Sequence, residues 1–379
     1  MEKIPFNKPF LTGHELAYIQ QAVESGKISG NGVFTQKCHE FFRAQFSDAS
    51  VLLTSSCTDA LEMASILADI GPGDEVILPS YTFVSTANAF ALRGANLVFI
   101  DSEAQTPNMD CLLLESLITS KTKAIVPVHY AGVACDMDMV SQIAKQNSLI
   151  VIEDAAQAVD AYYKGRPLGT FGDLAAFSFH ETKNVICGEG GMLVVNRMNF
   201  TKRAEIVWEK GTNRSAFWRG EVDKYNWIDL GSSFLPSEIT AAFLFAQLES
   251  LEKIQNKRKL LWTKYYDRLQ SLGANEKIRL PFLPGYASNN AHMFYLVCRS
   301  LSERIALLDY LKSQGICAVS HYISLHSSPF QSSSLQAKRQ LPWSDHYTDC
   351  LIRLPLYYEL SEEQVDRICD KIHLFYSWI

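Results

Sequence analysis

Short apolar runs, each followed by a polar turn and a helix-like stretch, recur through the first part of the chain. Val51-Leu-Leu-Thr54, Glu75-Val-Ile-Leu78, Ala95-Asn-Leu-Val-Phe-Ile100, Ala124-Ile-Val-Pro-Val128 and Leu149-Ile-Val-Ile152 read as strands. Glu15–Glu24, Phe34–Phe46 and Asp59–Ile70 carry helical periodicity, and Gly26–Gly32 and Gly71-Pro-Gly-Asp74 break it with turn residues. Strands alternating with helices imply βαβ units and a mostly parallel sheet. Ligands bind such sheets beyond the carboxyl ends of the strands, where Ser56–Thr58, Tyr81–Phe83, His129–Tyr130 and Asp154–Gln157 fall.

After about residue 245 the pattern changes. Gln247–Leu272 reads as one long charged amphipathic helix, and Val297, Ile305–Leu311, Cys317–Val319 and Ser361–Phe375 read as a smaller layer. The expected class is α/β, with a large domain over 1–245 and a small C-terminal α+β domain over 246–379. Ser327–Leu341, rich in Ser and Gln, reads as a loop.

A chain of 379 residues can bury a sizeable core. Its net charge of −6 lends no support to a nucleic-acid partner, which needs a basic surface. Nine irregularly spaced cysteines offer neither paired metal-ligand spacing nor a disulfide framework, so no metal is expected. The opening residues Met1–Lys8 lack the apolar core of a signal peptide, and no apolar run is long enough to cross a bilayer. The expectation is a soluble, cytoplasmic protein without a membrane partner.

Two strand ends carry the chemistry. Ser178-Phe-His-Glu-Thr-Lys183 puts a lysine just beyond the apolar run Leu174–Phe179, and Glu153-Asp-Ala-Ala-Gln157 puts Asp154 at the end of another. A lysine able to form a Schiff base and a carboxylate able to pair with a pyridinium nitrogen are the minimum equipment of a pyridoxal 5′-phosphate enzyme. Burial favours the free amine of Lys183, which can then shuttle a proton. Taken singly, Lys183 is a surface lysine and Asp154 a helix cap. Their order, with Gly188-Glu-Gly-Gly191 beside them, favours the cofactor.

Other positions fit around that pair. Gln157 can donate to the ring's phenolic oxygen, and Phe83 either stacks on the ring or fills the core. Ser55-Ser-Cys-Thr58 before a helix suits a phosphate, with Ser178 adding a hydroxyl, although it equally suits an ordinary cap. Lys210, Arg214, Arg219 and Lys224 lie among Phe217, Trp218, Tyr225 and Trp227, a composition that fits a nucleotide diphosphate or a solvated basic loop. Tyr322 and His326 either face a sugar or pack.

Ser56–Leu61, Pro79–Thr86, Glu153–Gln157 and Ser178–Lys183 with Gly188–Gly191 together resemble the DegT/DnrJ/EryC1/StrS sugar aminotransferases, in order along almost the whole chain. Phe6-Asn7, Ser29–Gly32, Pro127–Cys135, His180–Asn184, Lys210–Arg214, Asp223–Tyr225, Leu230–Ser233, Asn290–Tyr295 and His321-Tyr322 look like the subgroup that acts on dTDP-linked 4-keto-6-deoxyhexoses. The resemblance implies an aspartate-aminotransferase-like fold (PLP fold type I) and a homodimer with interfacial active sites. It implies Lys183 as the Schiff base, Asp154 at the pyridine nitrogen, Gln157 near the phenolic oxygen, Phe83 as the stacking ring, and Cys57, Thr58 and Ser178 around the phosphate.

The implied reaction moves an amino group from L-glutamate to C4 of dTDP-4-dehydro-6-deoxy-D-glucose. Its product would be dTDP-4-amino-4,6-dideoxy-D-galactose for a surface polysaccharide such as O-antigen or common antigen. The alternatives are the gluco epimer and a non-catalytic regulatory member. Family dehydratases carry His where Lys183 stands. Many members have Asn at the position of Ser233, reaching across the interface to the phosphate, and Arg at that of Leu235. This chain departs at both.

Overall fold

The computed structural model describes residues 3–46, 49–331 and 339–378; of the expected loop 327–341, residues 332–338 lie outside these. Seven strands form the main sheet: β1 (Ser50–Thr54), β2 (Glu75–Pro79), β3 (Asn96–Ile100), β4 (Thr122–Ile125), β5 (Ile150–Asp154), β6 (Leu174–Ser178) and β7 (Gly191–Val195). Their spatial order is β1-β7-β6-β5-β4-β2-β3. β7 runs antiparallel to both its neighbours, and the remaining pairs are parallel.

The near-continuous apolar strands follow from burial of the sheet on both faces. Val51, Leu53, Ile77, Ile125, Val151, Phe177 and Met192 pack on one side. Their alternates Leu52, Val76, Leu78, Ala124, Ile152, Ala176 and Leu193 pack on the other. The class is α/β, as the sequence predicts. β7 is the strand the sequence reading left as the end of a glycine turn. A Cβ on Gly191 would sit 2.3 Å from the Ser56 carbonyl carbon, so a glycine is required there for β7 to reach the loop after β1.

The helix expected over Gln247–Leu272 is two helices, Glu238–Glu249 and Leu251–Ala274, meeting at Ser250. No glycine or proline announces that break. A third core gathers Leu261, Tyr265, Phe294, Leu296, Ile352, Leu354, Ile368 and Ile372 around β8 (Phe294–Val297) and β9 (Leu351–Leu354), which pair antiparallel. Tyr81 and Tyr130, from the ends of the main sheet, pack into this same cluster. The N-terminal segment straps the layers together. Ile4 exchanges backbone hydrogen bonds with Gly315 (2.9 Å) and Cys317 (3.0 Å), and Phe10 stacks on Tyr358 at 3.8 Å.

Candidate active site

Beyond β1, Ser56 caps the helix Cys57–Leu67 by accepting from the Asp59 N–H at 3.0 Å. The N–H groups of Cys57 and Thr58 have no partner among the described residues, as the first amides of a helix cannot bond within it. The Thr58 hydroxyl donates to Ser85 at 2.8 Å, which joins this helix start to that of Val84–Ala91. Phe83 precedes the second helix and is 55% exposed, its ring 6.1 Å from that of Tyr322.

β5 delivers Asp154, which is buried. One carboxylate oxygen accepts from the Thr86 hydroxyl (2.7 Å) and the other from the Ala156 N–H (3.1 Å). Burial pushes its pKa up; those two donors and the nearby Lys183 oppose the rise without cancelling it. Among the described residues Asp154 forms no ion pair, and a carboxylate so placed gains from a cationic partner.

β6 ends at Ser178 and hands the chain to a loop closed by Phe179 N–H to Gly190 O and Cys187 N–H to Phe179 O, both 2.8 Å. This loop carries Lys183. Its pKa is held below that of an ordinary lysine, chiefly by burial and further by Arg353, while Cys57 and Asp154 pull the other way. Among the described residues the Ser178 hydroxyl is engaged only by a long 3.4 Å approach of the His180 N–H.

Gln157 is held from both ends: its carbonyl accepts from the Ala131 N–H (2.6 Å) and its amide donates to the Tyr322 hydroxyl (3.0 Å). Ala131 and Gly132 there have φ of 57° and 75°, and a Cβ on Gly132 would sit 2.0 Å from Asn290. Asn290 in turn donates to the carbonyls of Gln157 and Val159 at 2.8 and 2.9 Å, fixing the turn.

Lys183, Asp154, Gln157, Cys57, Thr58 and Tyr322 are therefore neighbours, with Phe83 beside Tyr322. The basic segment stands differently. Lys210, Arg214 and Lys224 are exposed, with Arg214 6.0 Å above the Trp218 ring. Arg219 is already paired with Glu205 (2.8 Å) and Glu221 (2.7 Å), so its charge is not free for a phosphate. His326 is buried, 2.7 Å from the Ser80 hydroxyl and 3.7 Å from Asp345, a packing position rather than a sugar-facing one. Ser233 is exposed and pairs by backbone with Glu209. Its neighbour Phe234 accepts from the Ser55 N–H at 2.9 Å.

Several site residues escaped the sequence reading. Thr86 lay inside a quoted motif with no role given to it. Glu153, fully buried, accepts from His129 (3.0 Å) and from the N–H groups of Gly169, Phe171 and Gly172 at 2.6–2.8 Å. The hydroxyl of Tyr130, a strand-end residue named from the sequence without a role, lies 2.7 Å from His321 Nδ1. Arg353 lies far along the chain, where no motif signals it.

A desolvated lysine, a buried carboxylate, an accessible aromatic ring and two uncommitted amides at a helix start fit pyridoxal 5′-phosphate by donor chemistry: an aldehyde partner, a ring nitrogen, a ring face and a phosphate. The class is that of PLP-dependent sugar aminotransferases. The chain belongs to the DegT/DnrJ/EryC1/StrS aminotransferase family, whose profile matches residues 9–373. It is 33% identical to GDP-perosamine synthase of Escherichia coli O157:H7 over 381 residues, covering all of both chains. Among solved structures, S. venezuelae DesV in complex with a ketimine intermediate superposes with a TM-score of 0.90 at 28% identity, over 99% of each chain. The aminotransferase TlmJ from Streptoalloteichus hindustanus gives a TM-score of 0.90 at 27% identity, again over 99% of each chain. Among the described residues no helix is long and apolar enough to cross a membrane.

Proposed function

We propose that the chain transfers the amino group of L-glutamate to C4 of dTDP-4-dehydro-6-deoxy-D-glucose, giving dTDP-4-amino-4,6-dideoxy-D-galactose for surface polysaccharide synthesis. The observation that carries the transaminase chemistry is a desolvated Lys183 amine within electrostatic reach of buried Asp154. The subgroup motifs from Phe6 to Tyr322 support the sugar.

Bound pyridoxal 5′-phosphate supplies an electron sink for the carbanion formed when the donor loses its α-proton. Asp154 would hold a proton on the ring nitrogen, and Thr86 and the Ala156 N–H fix the carboxylate's orientation. Cys57 and Thr58 offer their amides to the phosphate, with Ser178 adding its hydroxyl. Gln157 would hold the phenolic oxygen and Phe83 would stack on the ring. Lys183 would move the proton from the donor's α-carbon and later return one to the sugar's C4, a task suited to an amine whose pKa burial holds below that of an exposed lysine.

The functional unit is a homodimer in this reading. Trp227, Ile228 and Leu230 are 49–78% exposed, apolar side chains that a second copy would cover. A second reading, a GDP-linked substrate, is favoured by the identity to GDP-perosamine synthase. Both are tested by incubating purified holoenzyme and L-glutamate with the dTDP-linked or the GDP-linked 4-keto-6-deoxyhexose and determining the product by NMR. An axial C4 amine on the dTDP sugar is the expected result. Turnover of the GDP sugar alone would establish the second reading.

A further inference from the structure

Arg353 is a half-buried cation on β9 that no carboxylate neutralises among the described residues. Among the described residues it forms no ion pair, and its Nε is buried without a hydrogen-bond partner. Burying a guanidinium costs free energy unless an anion meets it. The ring of Phe6, 4.6 Å from the guanidinium carbon, offsets only a small part of that cost.

The fold fixes where this cation points. Arg353 lies on β9 directly opposite Tyr295 of β8, and its backbone is clamped to Val319 by hydrogen bonds of 2.8 and 3.1 Å. The Tyr295 ring meets that of Tyr130 edge-on at 5.8 Å, so this face of the strand pair looks onto the large sheet's ligand edge. The Arg353 charge is felt at Lys183, Tyr130, Tyr322, His321 and His292. None of these supplies an anion: the phenols are pushed above their usual range by burial, and the imidazoles are held neutral, again by burial. Asp154, the carboxylate whose charge is felt at Lys183, is already bonded by Thr86 and Ala156.

We propose that Arg353 is the donor-binding residue, its guanidinium receiving the α-carboxylate of the amino-acid donor. This assignment rests on the transaminase reading but not on the identity of the sugar. The α-carboxylate is attached to the carbon whose proton Lys183 removes, so a cation that holds it must stand beside Lys183. The diphosphate of a nucleotide sugar is separated from C4 by the width of the sugar ring. A planar fork of N–H donors matches a carboxylate bidentately, which a lysine does not. The cofactor phosphate has the free amides of Cys57 and Thr58. Substrate entry thus supplies the missing counter-charge, and a donor without an α-carboxylate leaves it missing.

The test uses holoenzyme in the donor half-reaction alone, following the visible absorption of the cofactor with L-glutamate or with 4-aminobutyrate, which lacks the α-carboxylate. Wild type should prefer glutamate. Arg353→Gln should lower that preference at least about tenfold, the scale of a hydrogen-bonded charge contact, and Arg353→Lys should lie between. Calorimetric binding of dTDP or GDP to the same proteins should be unchanged, and the starting absorption band should persist as evidence of an intact site. An unchanged glutamate preference in Arg353→Gln would overturn the assignment. So would loss of nucleotide binding with that preference intact, which would give Arg353 to the sugar's phosphates. Wild type that reacts with no amino acid would overturn the transaminase reading itself.

Discussion

At the scale of single residues, the site depends on groups whose ionisation the fold has displaced. Asp154 is buried, and its pKa is raised by that burial. In the proposed reading, a protonated pyridine nitrogen would be the partner that restores its charge. Asp154→Asn keeps the size and the contact with Thr86 but removes the charge that, in this reading, would keep the nitrogen protonated. We expect the rate to fall at least about a hundredfold, on the order of 3 kcal/mol in the barrier, with cofactor still bound. Steady-state kinetics checks this, and wild-type rates would reduce Asp154 to a cap on the following turn. Lys183 shows the same logic with opposite sign. Desolvation disfavours its charged form, so the amine becomes a nucleophile at lower pH than an exposed lysine.

At the scale of elements, the loops that carry these residues are held by buried polar anchors. Glu153, next to Asp154 on β5, points to the other side of the strand and gathers His129 and three amides of residues 169–172. Burial alone would raise its pKa, but the His129 bond and charge and the Gly172 and Gly169 amides bring it below the ordinary value of 4.5. A depressed folded-state pKa contributes stability that is present above the unfolded value and lost as pH falls through the folded one. Glu153→Gln should therefore lower unfolding stability by about 3 kcal/mol near neutral pH. The gap to wild type should shrink as pH drops below 4.5. Denaturant melts at a series of pH values check this. A gap constant into acid would mean that the Glu153 charge contributes nothing.

At the scale of the whole molecule, the sheet and its ligand edge were legible in the sequence because each strand is buried on both faces and announces itself as an apolar run. The helix Glu15–Glu24 has the bounds read from periodicity. What was not legible came from contacts between distant segments. β7 was hidden by Gly191, whose need is set by Ser56, and Ser250 divides two helices without a turn residue. The Lys183–Asp154 pair could be read because both sit beside strand ends with recognisable flanks. Arg353 could not, because a lone arginine on a four-residue strand acquires meaning only once β9 is docked.

Assembly belongs to this scale too. If Ser233 reaches a second subunit's site, mixing Lys183→Ala with Ser233→Trp subunits should restore about a quarter of wild-type activity, since two-fold symmetry leaves one intact site per heterodimer. No recovery after proven subunit exchange would confine Ser233 to its own subunit.

The central claim is that Lys183 is the amine that binds the cofactor. Borohydride reduction of the purified holoenzyme, followed by peptide mass mapping, tests it most directly. Loss of the visible absorption band with the pyridoxyl label on the peptide carrying Lys183, and no label in Lys183→Ala, is the predicted result. A label on any other lysine, or a Lys183→Ala protein that keeps both the band and normal turnover, would contradict it.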